Sequence, residues 1–210
     1  MAAVTAGAAP EQAAVACLFL HGRGQTPEEM LRDVLNRVGL PLVHYRLPGA
    51  AGKSCYDAKA VDPLTDATRV QLGAALDQVG AGLAALADQG FPPQRIVLAG
   101  FSQGACVALE YALQRGAAIG DLSLHAACRV GGATGGLPLH GLPVYAGCGD
   151  ADAWIPLGHF ITGLADLGTA GARLHADIFP GRPHQVCEAE IVALRGMLQA
   201  VATGQAVFGR

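Results

Sequence analysis

Ser102 lies in Gly100-Phe101-Ser102-Gln103-Gly104, a G-x-S-x-G pentapeptide. Two carboxylates follow in Gly149-Asp150-Ala151-Asp152, and a histidine follows those in Pro183-His184. A hydroxyl is a weak nucleophile until a base takes its proton. An imidazole titrates near neutral pH, so it can accept that proton and later return it. A carboxylate can hold the imidazole in the tautomer this exchange requires. Together the three residue types suit attack on a carbonyl carbon through a covalent intermediate.

The chain has 7 histidines, and their settings separate them. His184 follows the last predicted strand and opens the last predicted helix. His21 also ends a strand but precedes the serine, and it reads as a structural residue holding its loop. His44, His125 and His175 fall within predicted strands, and His140 and His159 lack a strand-end setting. For the acid, Asp150 and Asp152 both follow one predicted strand, and spacing does not choose between them. The aspartate not used as the acid is expected to cap the turn before Ile155-Pro156. A metal site built from Asp150, Asp152 and His184 is disfavoured, because there is no H-E-x-x-H motif and no second clustered histidine.

These groups need elements to position them. Val15–Leu20 reads as a buried strand that stops at the turn His21-Gly22-Arg23-Gly24. Residues 27–38 have helical spacing of Met30, Leu31, Val34, Leu35 and Val38. A strand at 42–47 leads into a long loop, 50–63, of the kind that is usually functional or mobile. Thr65 or Asp66 caps a helix over 67–88. Residues 95–99 form a short strand running directly into the pentapeptide, and 103–115 form a helix. Further strands are predicted at 122–130, 142–147 and 173–179, with helices at 156–167 and 185–201 and a glycine-rich loop at 131–136. Residues 1–13 and 203–210 read as flexible ends.

Alternation of strand and helix argues for βαβ units on a mostly parallel sheet with helices on both faces, in one domain over 1–210 without a lid domain. A serine at a strand-to-helix joint, then a carboxylate, then a histidine, is the chain order of an α/β-hydrolase. In that fold the amide of the residue after the nucleophile, here Gln103, supplies one oxyanion donor. The loop after an early strand supplies the other, and the Arg23 amide is the candidate. The Arg23 side chain reads as solvated. Were it to overhang the site, it would favour a substrate with a carboxylate or phosphate group.

Composition narrows the partners. A net charge of −3 and a pI near 6.1, with only Lys53 and Lys59 as lysines, give no basic tract for nucleic acid. Mean hydropathy is high at +0.34, but Ala and Gly carry much of it. The apolar run at 13–20 is far short of the roughly 20 residues needed to span a bilayer. The first residues lack the positive region of a secretory signal. The 6 cysteines show no C-x-x-C spacing and read as reduced structural thiols of a cytoplasmic protein. Cys148 and Cys187 lie near the acid and the base, and a redox role for them is disfavoured. The apolar composition admits a homodimer.

Leu20-His21-Gly22-Arg23-Gly24, Gly100-Phe101-Ser102-Gln103-Gly104-Ala105, Gly149-Asp150-Ala151-Asp152-Ala153-Trp154-Ile155-Pro156 and Pro183-His184 resemble the phospholipase/carboxylesterase family. That family includes acyl-protein thioesterases and small bacterial carboxylesterases. The resemblance spans about residues 15–200. It implies Ser102, Asp152 and His184 as the triad, the second aspartate being the acid, and Arg23 and Gln103 as oxyanion donors. Trp154 and Ile155 are expected to line an acyl pocket, with Tyr56 contributing from the loop. The resemblance implies a small-molecule ester as substrate and no metal or organic cofactor. Many relatives carry a histidine where this chain has Cys148, and a tryptophan in the loop where this chain has Lys53-Ser54-Cys55-Tyr56-Asp57. The more polar loop points to a short or polar acyl group. Thioesters and lysolipids are the alternative substrates, and a non-catalytic binding module is a remote one.

Overall fold

The structure is a computed structural model and describes residues 3–116 and 118–207. Seven strands form one sheet: β1 (Val4–Gly7), β2 (Val15–Leu20), β3 (Val43–Leu47), β4 (Ile96–Phe101), β5 (Asp121–His125), β6 (Pro143–Gly149) and β7 (Arg173–Phe179). Their order is β1-β3-β2-β4-β5-β6-β7. Only β1 runs antiparallel to its neighbour; β2 to β7 are parallel throughout. The architecture is the α/β-hydrolase fold expected from the pattern of elements.

The central strands are buried on both faces, which is why β2, β4 and β5 read as continuous apolar runs. On one face α3 (Asp66–Asp88) packs on β2 and on α4 (Gln103–Arg115). The third helix of that layer, α5 (Leu157–Thr169), brings Gly163 against Leu109 of α4. On the other face, α6 (Glu188–Thr203) packs on the sheet and against α2 (Asn36–Val38). The segment before α2 starts as α1 (Pro27–Met30) and widens into a π-helical turn over Leu31–Leu35. Thr26 opens α1 with a capping box, accepting from the Glu29 amide while the Glu29 carboxylate accepts from its own. By length and composition α3 is apolar enough to cross a membrane. Here it buries Leu72, Leu76, Val79, Leu83 and Leu86 against the domain instead.

Several expectations shift. The first residues are not a loose end: β1 pairs with β3 from Val4↔Leu47 to Gly7↔His44, so pairing was hidden in a short, weakly apolar segment. At the other terminus Thr203 closes α6 and Val207 is buried. Residues 1–2 and 208–210 of the expected flexible ends lie outside the described residues. The strand predicted over 122–130 ends at His125, because Ala126 turns at a positive φ of 56°. Beyond it Arg129 reaches a buried ion pair with Glu110, at 2.9 Å, and a second with Asp166. Glu110 has no exposed surface, so removing that guanidinium leaves a buried carboxylate without its ion-pair partner. Arg129→Leu should therefore cost about 3–5 kcal/mol in urea unfolding, and replacing Glu110 by Leu as well should recover much of it.

Candidate active site

The sheet gathers the chemical residues at one edge. His21 to Gly24 follow β2, Ser102 follows β4, Asp150 and Asp152 follow β6, and His184 lies in the loop after β7. All are at the carboxyl ends of parallel strands, where open α/β sheets present their sites.

Ser102 occupies a strained joint. Its backbone is at φ 55° and ψ −122°, outside the ordinary regions for a side-chain-bearing residue. The turn is held by the Ser102 amide donating to the His125 carbonyl at 2.8 Å and the Cys106 amide donating to the Ser102 carbonyl at 2.9 Å. It also forces α4 close to β2. A Cβ on Gly104 would stand 2.3 Å from the Leu20 carbonyl oxygen, so only glycine fits there.

The acid and base meet that hydroxyl in one line. His184 Nε2 is 2.8 Å from Ser102 Oγ, and His184 Nδ1 is 2.7 Å from Asp152 Oδ2. The Asp152 side chain has no exposed surface. Burial works against its charge, but hydrogen bonds from His184 and from the Ile155 and Trp154 amides outweigh it and lower its pKa below the ordinary carboxylate value. An ionised carboxylate can only accept, so Nδ1 carries the hydrogen and Nε2 is left to accept the Ser102 hydroxyl proton. Phe101 supports the imidazole, the two ring centroids lying 4.9 Å apart.

Geometry resolves the choice that spacing left open. Asp152, not Asp150, contacts His184. Asp152 also caps the turn before Ile155-Pro156: Oδ1 accepts from Trp154 N at 2.8 Å and Ile155 N at 2.9 Å. Asp150 does not take that capping role. Its carboxylate accepts from the Gly181 amide at 2.6 Å and so ties the acid loop to the histidine loop.

The oxyanion candidates line the same cleft as the serine and also hold the 50–63 loop. The Gly22 amide donates to Gln25 Oε1 at 3.1 Å and the Gly24 amide to the Lys53 carbonyl at 2.8 Å. The amides of Arg23 and Gln103 make no hydrogen bond among the described residues. His21 is buried and braces this turn, with Nδ1 on the Gly22 carbonyl at 2.8 Å and Nε2 accepting from Ala50 N at 3.0 Å. The Gln103 side chain accepts from Cys55 N at 2.8 Å and donates to the Tyr56 carbonyl at 2.8 Å. Arg23 is not a solvated side chain, as its sequence setting implied. Its guanidinium donates to the carbonyls of Asp57, at 2.7 Å, and Ala58, and lies 5.7 Å from the Tyr56 ring centroid. Unpaired loop carbonyls supplied acceptors that no sequence pattern marks.

A cleft of about 280 Å³ opens beside Ser102. Tyr56, Ala60, Phe101, Cys106 and Ile155 give it an apolar lining, and Arg23, Lys59, Gln25 and Trp154 also reach it. Trp154 is 55% exposed, so it forms a rim and not core, while Ile155 and Tyr56 are buried. Burial holds the Tyr56 hydroxyl protonated, well above its ordinary pKa. Cys148 is buried beneath the acid turn, where burial pushes its thiol up to about 12. It therefore has the character of an inert packing residue.

One group beneath the site was invisible in the sequence. Glu190, in the first turn of α6, is fully buried. It accepts from Arg182 and from the Cys187 amide at 2.9 Å, and its second oxygen lies 3.5 Å from His125 Nδ1. Arg182 also donates to the Gln185 carbonyl at 2.5 Å, so its contacts bracket His184, and it stacks over Phe179 at 4.5 Å. A Cβ on Gly147 would lie 2.4 Å from the Glu190 carboxylate, so β6 gives up a side chain to admit it. Burial opposes the Glu190 charge, but His125, the Cys187 amide and Arg182 outweigh burial and hold it below the ordinary carboxylate range.

These residues fit a known pattern. A sequence profile of the phospholipase/carboxylesterase family matches residues 1–202. The chain belongs to the phospholipase/carboxylesterase family. Its fold is similar to that of a phospholipase/carboxylesterase from Dyadobacter fermentans, with 27% identity, a TM-score of 0.86, and 94% of this chain and 96% of that one covered. It is also similar to esterase PE8, at 21% identity and TM-score 0.78, covering 95% and 98% of the two chains. The Bacillus cereus carboxylesterase gives 18% identity and TM-score 0.76, covering 95% and 93%. Membership of that family makes this chain an ester hydrolase.

Two outcomes test this geometry. Asp152 is depressed in the folded state, so its stabilisation is present above the unfolded carboxylate pKa, about 4, and is lost as pH falls toward the lower folded value. Urea unfolding should show the stability difference between wild type and Asp152→Asn shrinking across that acid range. Glu190→Gln should lower stability by about 3 kcal/mol, since it leaves Arg182 buried without its charge partner; a change below about 0.5 kcal/mol would contradict the role given to that pair.

Proposed function

We propose that the protein is a serine carboxylesterase that cleaves esters of short-to-medium or polar acyl groups through an acyl-enzyme. The observation that carries this reading is the unbroken line from Asp152 Oδ2 to His184 to Ser102 Oγ, at 2.7 and 2.8 Å, opening onto the cleft. His184 Nε2 takes the hydroxyl proton as Ser102 Oγ bonds to the ester carbon. Charge then collects on the former carbonyl oxygen. The free Gln103 amide, at the N-terminus of α4, and the free Arg23 amide, in the turn after β2, receive it, a contribution of roughly 3–4 kcal/mol per donor. The tetrahedral species collapses as His184 returns the proton to the departing alcohol. Water enters, His184 takes one of its protons, and the acid is released with Ser102 restored. The chemistry uses only side chains, amides and water.

A cleft of about 280 Å³ is at the small end for ligand sites. That supports a short acyl group. The loop over it is held down by Gln103 and Arg23, and the hydrogen bonds involved leave little freedom to widen for a long lipid chain.

The test is a series of p-nitrophenyl esters of increasing acyl length, run with wild type and Ser102→Ala. The reading predicts a maximum at short acyl chains, and a fall in kcat of about 10⁴-fold or more in the variant. A maximum at long chains would overturn the size preference, and turnover retained in Ser102→Ala would overturn the nucleophile. Oxygen and sulfur esters of equal acyl length, compared alongside, separate the ester from the thioester reading.

A further inference from the structure

The chain carries more acids than bases, 17 against 14, yet the cleft beside Ser102 is lined by two cations, Arg23 and Lys59, and by no carboxylate. The nearest acid of the site, Asp152, has no exposed surface and lies behind the imidazole. Arg23 spends its donors on the carbonyls of Asp57 and Ala58. Carbonyl oxygens hold the guanidinium in place without cancelling its charge. Lys59 is exposed on the same loop, and its ammonium lies 5.9 Å from the Trp154 ring centroid, which positions it over the rim. Neither side chain forms an ion pair among the described residues, whereas Arg32, Arg37, Arg69, Arg115, Arg129 and Arg182 all do. Asp57 and Asp62 lie on the same loop as Lys59, but Asp57 is taken up by Gln71 and Asp62 by the Lys59 amide, and neither lines the cleft; a cleft lined by cations and apolar groups concentrates anionic ligands.

A second groove meets the first at Gln25, Phe101 and His184 and runs past Met30, Val34 and Val186. His184 Nε2 is the atom that returns a proton to the departing alcohol, so the alcohol must lie on the imidazole side. The first cleft, which holds Ser102 and both oxyanion residues, is left for the acyl part.

We propose that the acyl group of the substrate carries an anion, and that Lys59 and Arg23 recognise it: the preferred substrates are half-esters of dicarboxylic acids, or acyl groups with an equivalent anionic terminus. This rests on the esterase reading and names its substrate class. The acyl chain passes Phe101, Ile155 and Ala60, and its terminal anion reaches the charged rim. Hydrolysis leaves a dianionic acid, which the open rim releases to water. Lys59 is exposed and Arg23 half-buried, so salt screens the attraction, and most strongly at Lys59.

The experiment measures kcat/KM by proton release for monoethyl glutarate against ethyl valerate, acyl chains of equal length, with butyryl glycolate as an ester whose anion is on the alcohol side. Wild type should favour the glutarate half-ester over ethyl valerate by about tenfold at low salt, and the ratio should fall toward one in about 0.5 M NaCl. Lys59→Gln should lower that ratio several-fold, and Lys59→Glu should bring it below one; the ratio is independent of how much of either variant folds. Equal use of the two esters by wild type would overturn the inference. So would a preference unchanged by salt and by both substitutions, or a larger gain for butyryl glycolate. Hydrolysis of neither ester, at any salt, would instead overturn the esterase reading itself.

Discussion

The hydrogen bond between Asp152 and His184 governs the site. Among the described residues no lysine or arginine pairs with the buried Asp152, and its charge is held by three donors that converge on it: the imidazole and the amides of Trp154 and Ile155. The same bonds shape the turn that sets Trp154 on the rim and Ile155 in the cleft wall. The carboxylate thus fixes the tautomer of His184 and the form of the substrate wall in one stroke. The rest of the fold exists at this edge to bring three strand ends within reach of that pair.

Beneath it, charge is used sparingly and always for position. Glu190 joins the loop carrying His184 to the start of α6 and to the ring of His125, whose carbonyl holds the Ser102 amide. One buried carboxylate therefore braces the neighbours of both the serine and the histidine. Above the site, Gln103 and Arg23 each serve twice. Their amides make no hydrogen bond among the described residues, and their side chains hold down the loop beside the cleft. The position of both backbones beside Ser102 and the closure of the cleft are for this reason one property, and a change at either residue should disturb both.

The fold was legible because its strands differ in kind from its helices. β2 and β7 have the bounds their apolar patterns predicted. Where legibility failed, the deciding contact was distant in sequence. β1 is too short and weakly apolar to announce itself, and it exists because β3 offers an edge. The strand expected over 122–130 stops early because the chain must turn at Ala126 to bring Arg129 to Glu110. At the site, Ser102 and His184 stood out by their place between elements, but spacing could not separate Asp150 from Asp152. Only the reach of His184 does so, and it gives Asp150 a bond to Gly181 in place of the cap expected of it. Arg182 and Glu190 carry no motif, since a buried ion pair looks the same in sequence as two surface charges.

In the proposed mechanism Ser102 attacks the carbonyl carbon while two amides hold the oxyanion. The most direct measurement is a crystal structure of the protein after reaction with a p-nitrophenyl alkylphosphonate, which mimics the tetrahedral species. The account predicts a covalent bond from Ser102 Oγ to phosphorus, the phosphoryl oxygen within hydrogen-bond distance of the Arg23 and Gln103 amides, and the alkyl group between Phe101 and Ile155. An unmodified Ser102, or a phosphoryl oxygen turned to solvent away from both amides, would contradict it.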